Sequence, residues 1–199
     1  MFDQLFRFEE VLANYTGAKY AVATDGCTHA IELAMRYDRV KSCKFTAYTY
    51  LSIPQMLGEL GINYQLIDET WRSEYQFYGT RIWDSARRLE RNMFRQHAIQ
   101  CLSFGHGKPL QIGKLGAVLT DDAEVYNQLS KWRSDGRDLR ISPWADQAIF
   151  GKGWHYCPTL ENCATATTKL LESTDFMASS ANYPDLRKLR IQPSSADFS

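Results

Sequence analysis

The sequence has no long apolar run, no surplus of either charge and no clustered cysteines, and each absence narrows what the chain can be. Its apolar stretches are broken within a few residues by polar or charged groups, and Asp3, Glu9 and Glu10 stand near the N-terminus where a secretory signal would carry bases. Residence in the cytosol is the expectation. Lys plus Arg and Asp plus Glu number 23 each, so a formal charge of zero argues against nucleic acid or an anionic membrane as partner. Five cysteines, at positions 27, 43, 101, 157 and 163, lie far apart with no Cys-x-x-Cys pair, and the four histidines, at 29, 97, 106 and 155, show no ligand spacing. Reduced thiols and no bound metal are expected. With 12 glycines and 6 prolines among 199 residues, collagen-like and linker-like chains are excluded too. What is present is 44% hydrophobic and 23% charged residues, the composition of a globular protein whose length suits one domain. That domain is expected to span 1–192, with a polar tail at 193–199.

Hydrophobic periodicity orders the elements. Leu5, Phe8, Val11 and Leu12 recur at helical spacing over 5–15, and Gly17 supplies a stop. A strand at 20–24 runs into the polar turn Asp25-Gly26-Cys27-Thr28 and a helix over 29–37. The unit recurs with a strand at 44–48, a helix opened by Ser52-Ile53-Pro54-Gln55 and closed by Gly61, and a third strand at 64–68. The stretch 69–79 is polar, aromatic and weakly periodic; it reads as a loop into a strand at 81–84, after which a helix is expected from Ser85. A strand at 98–104 meets the tight turn Gly105-His106-Gly107-Lys108-Pro109. Another at 116–120 enters an amphipathic helix over 122–133, with Val125, Leu129 and Trp132 on one face. The pattern is irregular past Gly136 and helical again over 159–171, and Leu186, Leu189 and Ile191 suggest one last short helix. Strands alternating with helices predict an α/β fold with a largely parallel sheet and sites at the carboxyl ends of its strands.

That rule selects Asp25 to Thr28, Thr49 and Tyr50, Asp68, Asp84 with Arg87, and Gly105 to Lys108. Gly26-Cys27-Thr28 offers small residues and a hydroxyl at a helix N-terminus, where free N–H groups suit an anion, although Thr there is more often a simple cap. Asp84 ends a hydrophobic strand, as a helix cap or as the partner of a buried cation. Lys108, between Gly107 and Pro109, is held on a stiff turn; most lysines are solvated charges, but an amine gathered with a carboxylate, an anion site and an aromatic ring is the set a Schiff-base cofactor needs.

These residues carry a resemblance. Phe8-Glu9-Glu10 and the run from Gly17 through Ala23-Thr24-Asp25-Gly26-Cys27-Thr28 to Ile31 resemble the opening of the DegT/DnrJ/EryC1/StrS family, sugar aminotransferases of fold type I that depend on pyridoxal phosphate. Thr49-Tyr50, Trp83-Asp84-Ser85-Ala86, Ser103-Phe104-Gly105-His106-Gly107-Lys108 and the stretch from Gly116 through Leu129 to Arg133 and Gly136 are similar to further blocks in the family's order. The likeness spans about 8–171, and five ordered blocks are more specific than any one of them.

The resemblance implies an aspartate-aminotransferase-like large domain with a mostly parallel sheet flanked by helices, reduced in size, and pyridoxal 5'-phosphate as cofactor. Lys108 would form the internal aldimine and shuttle the proton between Cα and C4′, and Asp84 would pair with the pyridine N–H. Tyr50 would stack on the ring, while Ser103 and the backbone of Cys27 and Thr28 would hold the phosphate. Four positions depart from the family's pattern. Gly26-Cys27 replaces a Ser-Gly pair; Arg87 stands where a glutamine meets the ring oxygen, and either meets a substrate carboxylate or points to solvent. His155 stands where an asparagine reaches the phosphate of the neighbouring subunit, and is either that contact or an ordinary half-buried histidine. Only fifteen residues separate Asp68 from Asp84, where the family inserts a helix and a strand, and the chain leaves no room for the family's small C-terminal domain. The expected function is a homodimeric enzyme acting on an amine or amino acid, by transamination as the family's default. A decarboxylase and a degenerate structural or regulatory subunit are the rivals.

Overall fold

The computed structural model describes residues 1–172, 176 and 182–189. Ile191 of the last expected helix and the tail at 193–199 lie outside the described residues. Five helices, α1 (Asp3–Thr16), α2 (Cys27–Tyr37), α3 (Ser52–Glu59), α4 (Ala123–Trp132) and α5 (Leu160–Glu172), accompany seven strands among the described residues. Five strands form one sheet in the order β1 (Tyr20–Thr24), β7 (Gly116–Thr120), β6 (Ile99–Ser103), β5 (Ile82–Asp84) and β4 (Tyr75–Gln76). The remaining two, β2 (Ser42–Thr46) and β3 (Asn63–Ile67), pair in parallel around the α3 crossover. A bridge between Lys44 and Tyr78 joins this pair to the β4 hairpin.

The α/β class is as expected, but the sheet is mixed, with β5–β6 the parallel pair of the five-stranded sheet. The reason lies in the connections. A parallel pairing needs a crossover of a dozen or so residues, usually helical. The turn through Gly105-His106-Gly107-Lys108-Pro109 contains no helix and returns β7 beside β6 antiparallel. The tight turn closed by Thr80 N–H to Phe77 O at 3.0 Å makes β4 and β5 a hairpin.

Strand alternation builds two cores, one on each face. Ala21, Ala23, Leu102, Ala117 and Leu119 pack with Leu5, Phe8 and Leu12 of α1 and Cys163, Ala166 and Leu170 of α5. Val22, Ile99, Cys101 and Val118 pack with Ile31 and Leu33 of α2, Leu57 of α3 and Leu129 of α4. Such strands are buried on both faces, which is why they read as unbroken apolar runs.

Between the cores sits a buried ion pair that ties the first and last similar blocks together. Arg133, at the end of α4, donates to the Glu9 carboxylate and, at 2.7 Å, to Ala23 O, while Ala23 N–H donates to Glu9 Oε1 at 2.7 Å. Both side chains are at most 5% exposed.

The helix expected from Ser85 does not form. The α1 helix ends with carbonyls that have no partner within it, and the segment after β5 supplies donors to them. Asn92 N–H reaches Tyr15 O at 3.1 Å and Phe94 N–H reaches Thr16 O at 2.9 Å, while Leu89 and Met93 fill the α1 core. Two arginines of this segment are drawn to one buried carboxylate, with Arg88 2.6 Å and Arg95 2.5 Å from Glu74. Burial raises the pKa of Glu74, but the Ser85 hydroxyl, Arg95 and Arg88 outweigh it and hold the carboxyl below the usual range. The expected loop at 69–79 does contain a short strand, β4, two residues being too few to show a period.

Candidate active site

The ends of β1, β5 and β6 and the start of β7 meet at one edge. Thr24 and Ser103 both pair with Gly116, the first residue of β7, so the N-terminus of α2 lies directly above the end of β6. Gly116 is required there: a Cβ would stand 2.4 Å from the carbonyl carbon of Gly26. Beneath this junction opens a cavity of about 420 Å³ lined by Cys27, Thr28, Asp84, Arg87, Ser103 and Lys108, together with Tyr50, Trp71 and Tyr183.

Asp84 forms the floor. It is 5% exposed and ends β5, accepting from Ala86 N–H at 2.9 Å and from the Tyr75 hydroxyl at 2.9 Å. Tyr75 in turn lies 2.7 Å from the Thr49 hydroxyl, so a buried line runs from Thr49 through Tyr75 to the carboxylate. Burial pushes Asp84 above the ordinary carboxylate range; the hydrogen bonds from Ala86 and Tyr75 and the charges of Lys108 and Arg87 oppose it without cancelling it. Among the described residues no ion pair neutralises this carboxylate. Beside it, 4.0 Å from Oδ1, the Cys27 thiol is held neutral, its pKa pushed well up by burial and then by Asp84.

The anion end lies at α2. Its N-cap, Gly26, has no side chain to satisfy the first-turn N–H groups, which face the Ser103 end of β6. Thr28 Oγ1 sits 2.7 Å from Ser52 Oγ, which places the starts of α2 and α3 side by side. Lys108 projects from the turn after β6, where Gly107 adopts φ 72°, a conformation that favours glycine. The amine lies 3.5 Å from the Tyr183 hydroxyl.

Seven of the eight expected site residues, Lys108, Cys27, Thr28, Tyr50, Asp84, Arg87 and Ser103, therefore line one cavity. Tyr50 lines it with a ring that is 61% exposed, and Arg87 turns its guanidinium 5.5 Å from the Tyr183 centroid and donates to Gly107 O at 3.2 Å, so the solvent-facing alternative does not hold. His155 stands elsewhere. It is 85% exposed, not half-buried, and lies 3.1 Å from Asp135. Its neighbour Tyr156 carries the contact to α2, stacking on His29 with centroids 3.8 Å apart. Sequence reasoning missed Tyr75, Trp71 and Tyr183. The aromatic density of 69–79 was the one available signal for the first two, and nothing local marks the third.

Residues 2–73 match the model of the DegT/DnrJ/EryC1/StrS aminotransferase family. The resemblance read from the first blocks is thereby shown. Among curated proteins no match to the chain is found. The fold is shared with solved structures at low identity. Helicobacter pylori PseC, an aminotransferase of pseudoaminic acid biosynthesis, is 15% identical with a TM-score of 0.66, over 85% of this chain and 58% of its own. NtdA from Bacillus subtilis, with bound PMP, is 15% identical with a TM-score of 0.70, over 84% of this chain and 47% of its own. The GDP-4-keto-6-deoxymannose-3-dehydratase ColD, in a mutant form with bound GDP-perosamine, is 14% identical with a TM-score of 0.65, over 85% of this chain and 61% of its own. The chain thus has the fold-type-I architecture in a reduced form and spans about half to three fifths of the length of these proteins.

Proposed function

We propose that the chain is a pyridoxal-phosphate-dependent enzyme acting on an amine or amino acid, with transamination as its reaction. One observation carries this: a lysine amine and a buried carboxylate with no ion-pair partner among the described residues line the same cavity as an uncapped helix N-terminus and a serine. A phosphorylated pyridine aldehyde has complementary parts, an anion for the helix, a ring nitrogen cation for Asp84 and a carbonyl for Lys108. Such a cofactor supplies an electron-accepting ring and an aldehyde that condenses with amines.

The chain's own groups do the rest. The first-turn N–H groups of α2 with Thr28 and Ser103 hold the phosphate dianion. Asp84, aligned by Tyr75 and Ala86 N–H, pairs with the ring N–H and keeps its proton in place. Lys108 would hold the cofactor's carbonyl end, and its free amine would take and return the proton at the substrate's α-carbon. Trp71 and Tyr183 keep bulk water from that proton transfer. Exposed Ile141, Trp144, Ile149 and Phe150 precede His155 in one irregular segment; we propose that this face meets a second copy of the chain, with His155 turned toward its site.

The reaction is tested by supplying the reconstituted protein with pooled amino acids and a keto-acid acceptor. Amino-group exchange into the acceptor is expected. Carbon dioxide release without exchange would assign the decarboxylase reaction, and neither product would favour a degenerate subunit.

A further inference from the structure

The mouth of the cavity is crossed by a segment that lies far along the chain from every residue of its floor. Residues 182–189 return over it, Tyr183 standing 75 positions after Lys108. Three anchors fix the return. Leu186 is buried and donates its N–H to Ala47 O at 3.0 Å; Asp185 caps the short turn Leu186–Lys188; Arg187 pairs with Asp68 at 3.2 Å. Tyr183 is thereby laid against Trp71, with centroids 6.1 Å apart and planes 18° from parallel, and edge-on to Tyr50 at 6.3 Å.

We infer that Tyr183 is a specificity-determining residue: with Trp71 it sets a ceiling over Lys108, so that the site takes an amine of amino-acid size and rejects a nucleotide-linked sugar. The ceiling is argued from geometry alone; naming the ligand an amine rests on the proposed function. A cavity of about 420 Å³ that must hold a phosphorylated pyridine keeps room for an amino acid but not for a nucleoside diphosphate as well. Two rings bound that room. A nucleoside diphosphate attached to the amine would have to pass through the plane that the rings occupy.

The test has two arms, using wild type, Tyr183→Ala, Tyr183→Phe and Arg187→Ala, the last cutting an anchor outside the cavity. In the first arm the unloaded proteins meet cyanoborohydride with either propionaldehyde or a biphenyl carboxaldehyde, and alkylation of Lys108 is followed by peptide mass spectrometry. Propionaldehyde is expected to label all four alike. The biphenyl aldehyde is expected to label Lys108 about tenfold faster in Tyr183→Ala and Arg187→Ala than in wild type and Tyr183→Phe. Equal rates with the bulky aldehyde in all four overturn the ceiling whatever the cofactor. In the second arm the pyridoxal-phosphate-loaded proteins receive L-glutamate, L-alanine or a UDP-linked amino sugar. The amino acids should change the absorption of wild type, and the sugar nucleotide only that of Tyr183→Ala and Arg187→Ala; a wild type that responds to the sugar nucleotide overturns the size limit. Failure to load at all contradicts the proposed function and leaves the first arm's result standing.

Discussion

The floor and the roof of the cavity are built differently. Asp84, Ser103 and Cys27 sit at the last or first residue of a regular element, where strand pairing and helix hydrogen bonding fix the backbone to which each side chain is attached. Trp71 and Tyr183 sit on irregular segments held by ring stacking, by the Trp71 Nε1–H bond to Tyr48 O, by Leu186 docked on Ala47 and by an exposed ion pair. The floor is therefore positioned by the same burial that stabilises the fold, whereas the roof is an addition whose loss leaves the two cores intact. Changes to the floor should alter chemistry or stability, and changes to the roof should alter selection with little cost in either.

The largest effect is expected from the scaffold beneath the floor. Arg133→Met strands the Glu9 carboxylate between the two cores, and breaking a buried pair in this way costs about 3–5 kcal/mol. A urea unfolding curve that hardly moves would show that the pair is not what joins α1 to α4.

Asp84→Asn comes next, and it divides two properties. Loss of the charge-assisted contact to a ring nitrogen should weaken pyridoxal phosphate binding about ten- to a hundredfold, measured by fluorescence titration. The unloaded protein responds in the opposite sense. An acid whose folded pKa is raised binds more protons folded than unfolded in the window between the two values, so stability falls as pH rises through that window. Thermal melts of the unloaded wild type should show that decline from acidic pH upward, and those of Asp84→Asn should be flatter.

Tyr75→Phe is a smaller change in the same line. It removes the hydroxyl between Thr49 and Asp84, leaving one carboxylate oxygen without its donor, at a cost of about 1–3 kcal/mol. The melting temperature and the cofactor affinity should drop together; a drop in the first alone would mean that Tyr75 supports the fold and not the floor. Arg187→Ala should change stability least of all, since it removes only a pair with exposed Asp68 and a local pair with Asp185 two residues away. A melting temperature lowered as far as in Arg133→Met would erase the distinction between floor and roof.

This division also explains what could be read from the sequence. Strand ends and helix starts follow from periodicity, so Asp84, Thr28 and the turn bearing Lys108 could be gathered on one rim before any fold was known, and Ser103 was added by the resemblance. The helix expected after Ser85 failed because the open carbonyls of α1 claimed the N–H groups of Asn92 and Phe94, a competition no local pattern records. The direction of β7 was hidden in the lack of a helix between it and β6. Tyr75 lies on a two-residue strand, and Tyr183 meets Lys108 only because Leu186 docks on Ala47, a contact between segments that share no motif.

The most direct test of the account is to mix the protein with pyridoxal phosphate, reduce with borohydride and map the modified peptide by mass spectrometry. The account expects a single phosphopyridoxyl adduct on Lys108, absent from Lys108→Ala and diminished in Asp84→Asn. Labelling scattered over surface lysines at equal levels in all three proteins would contradict it.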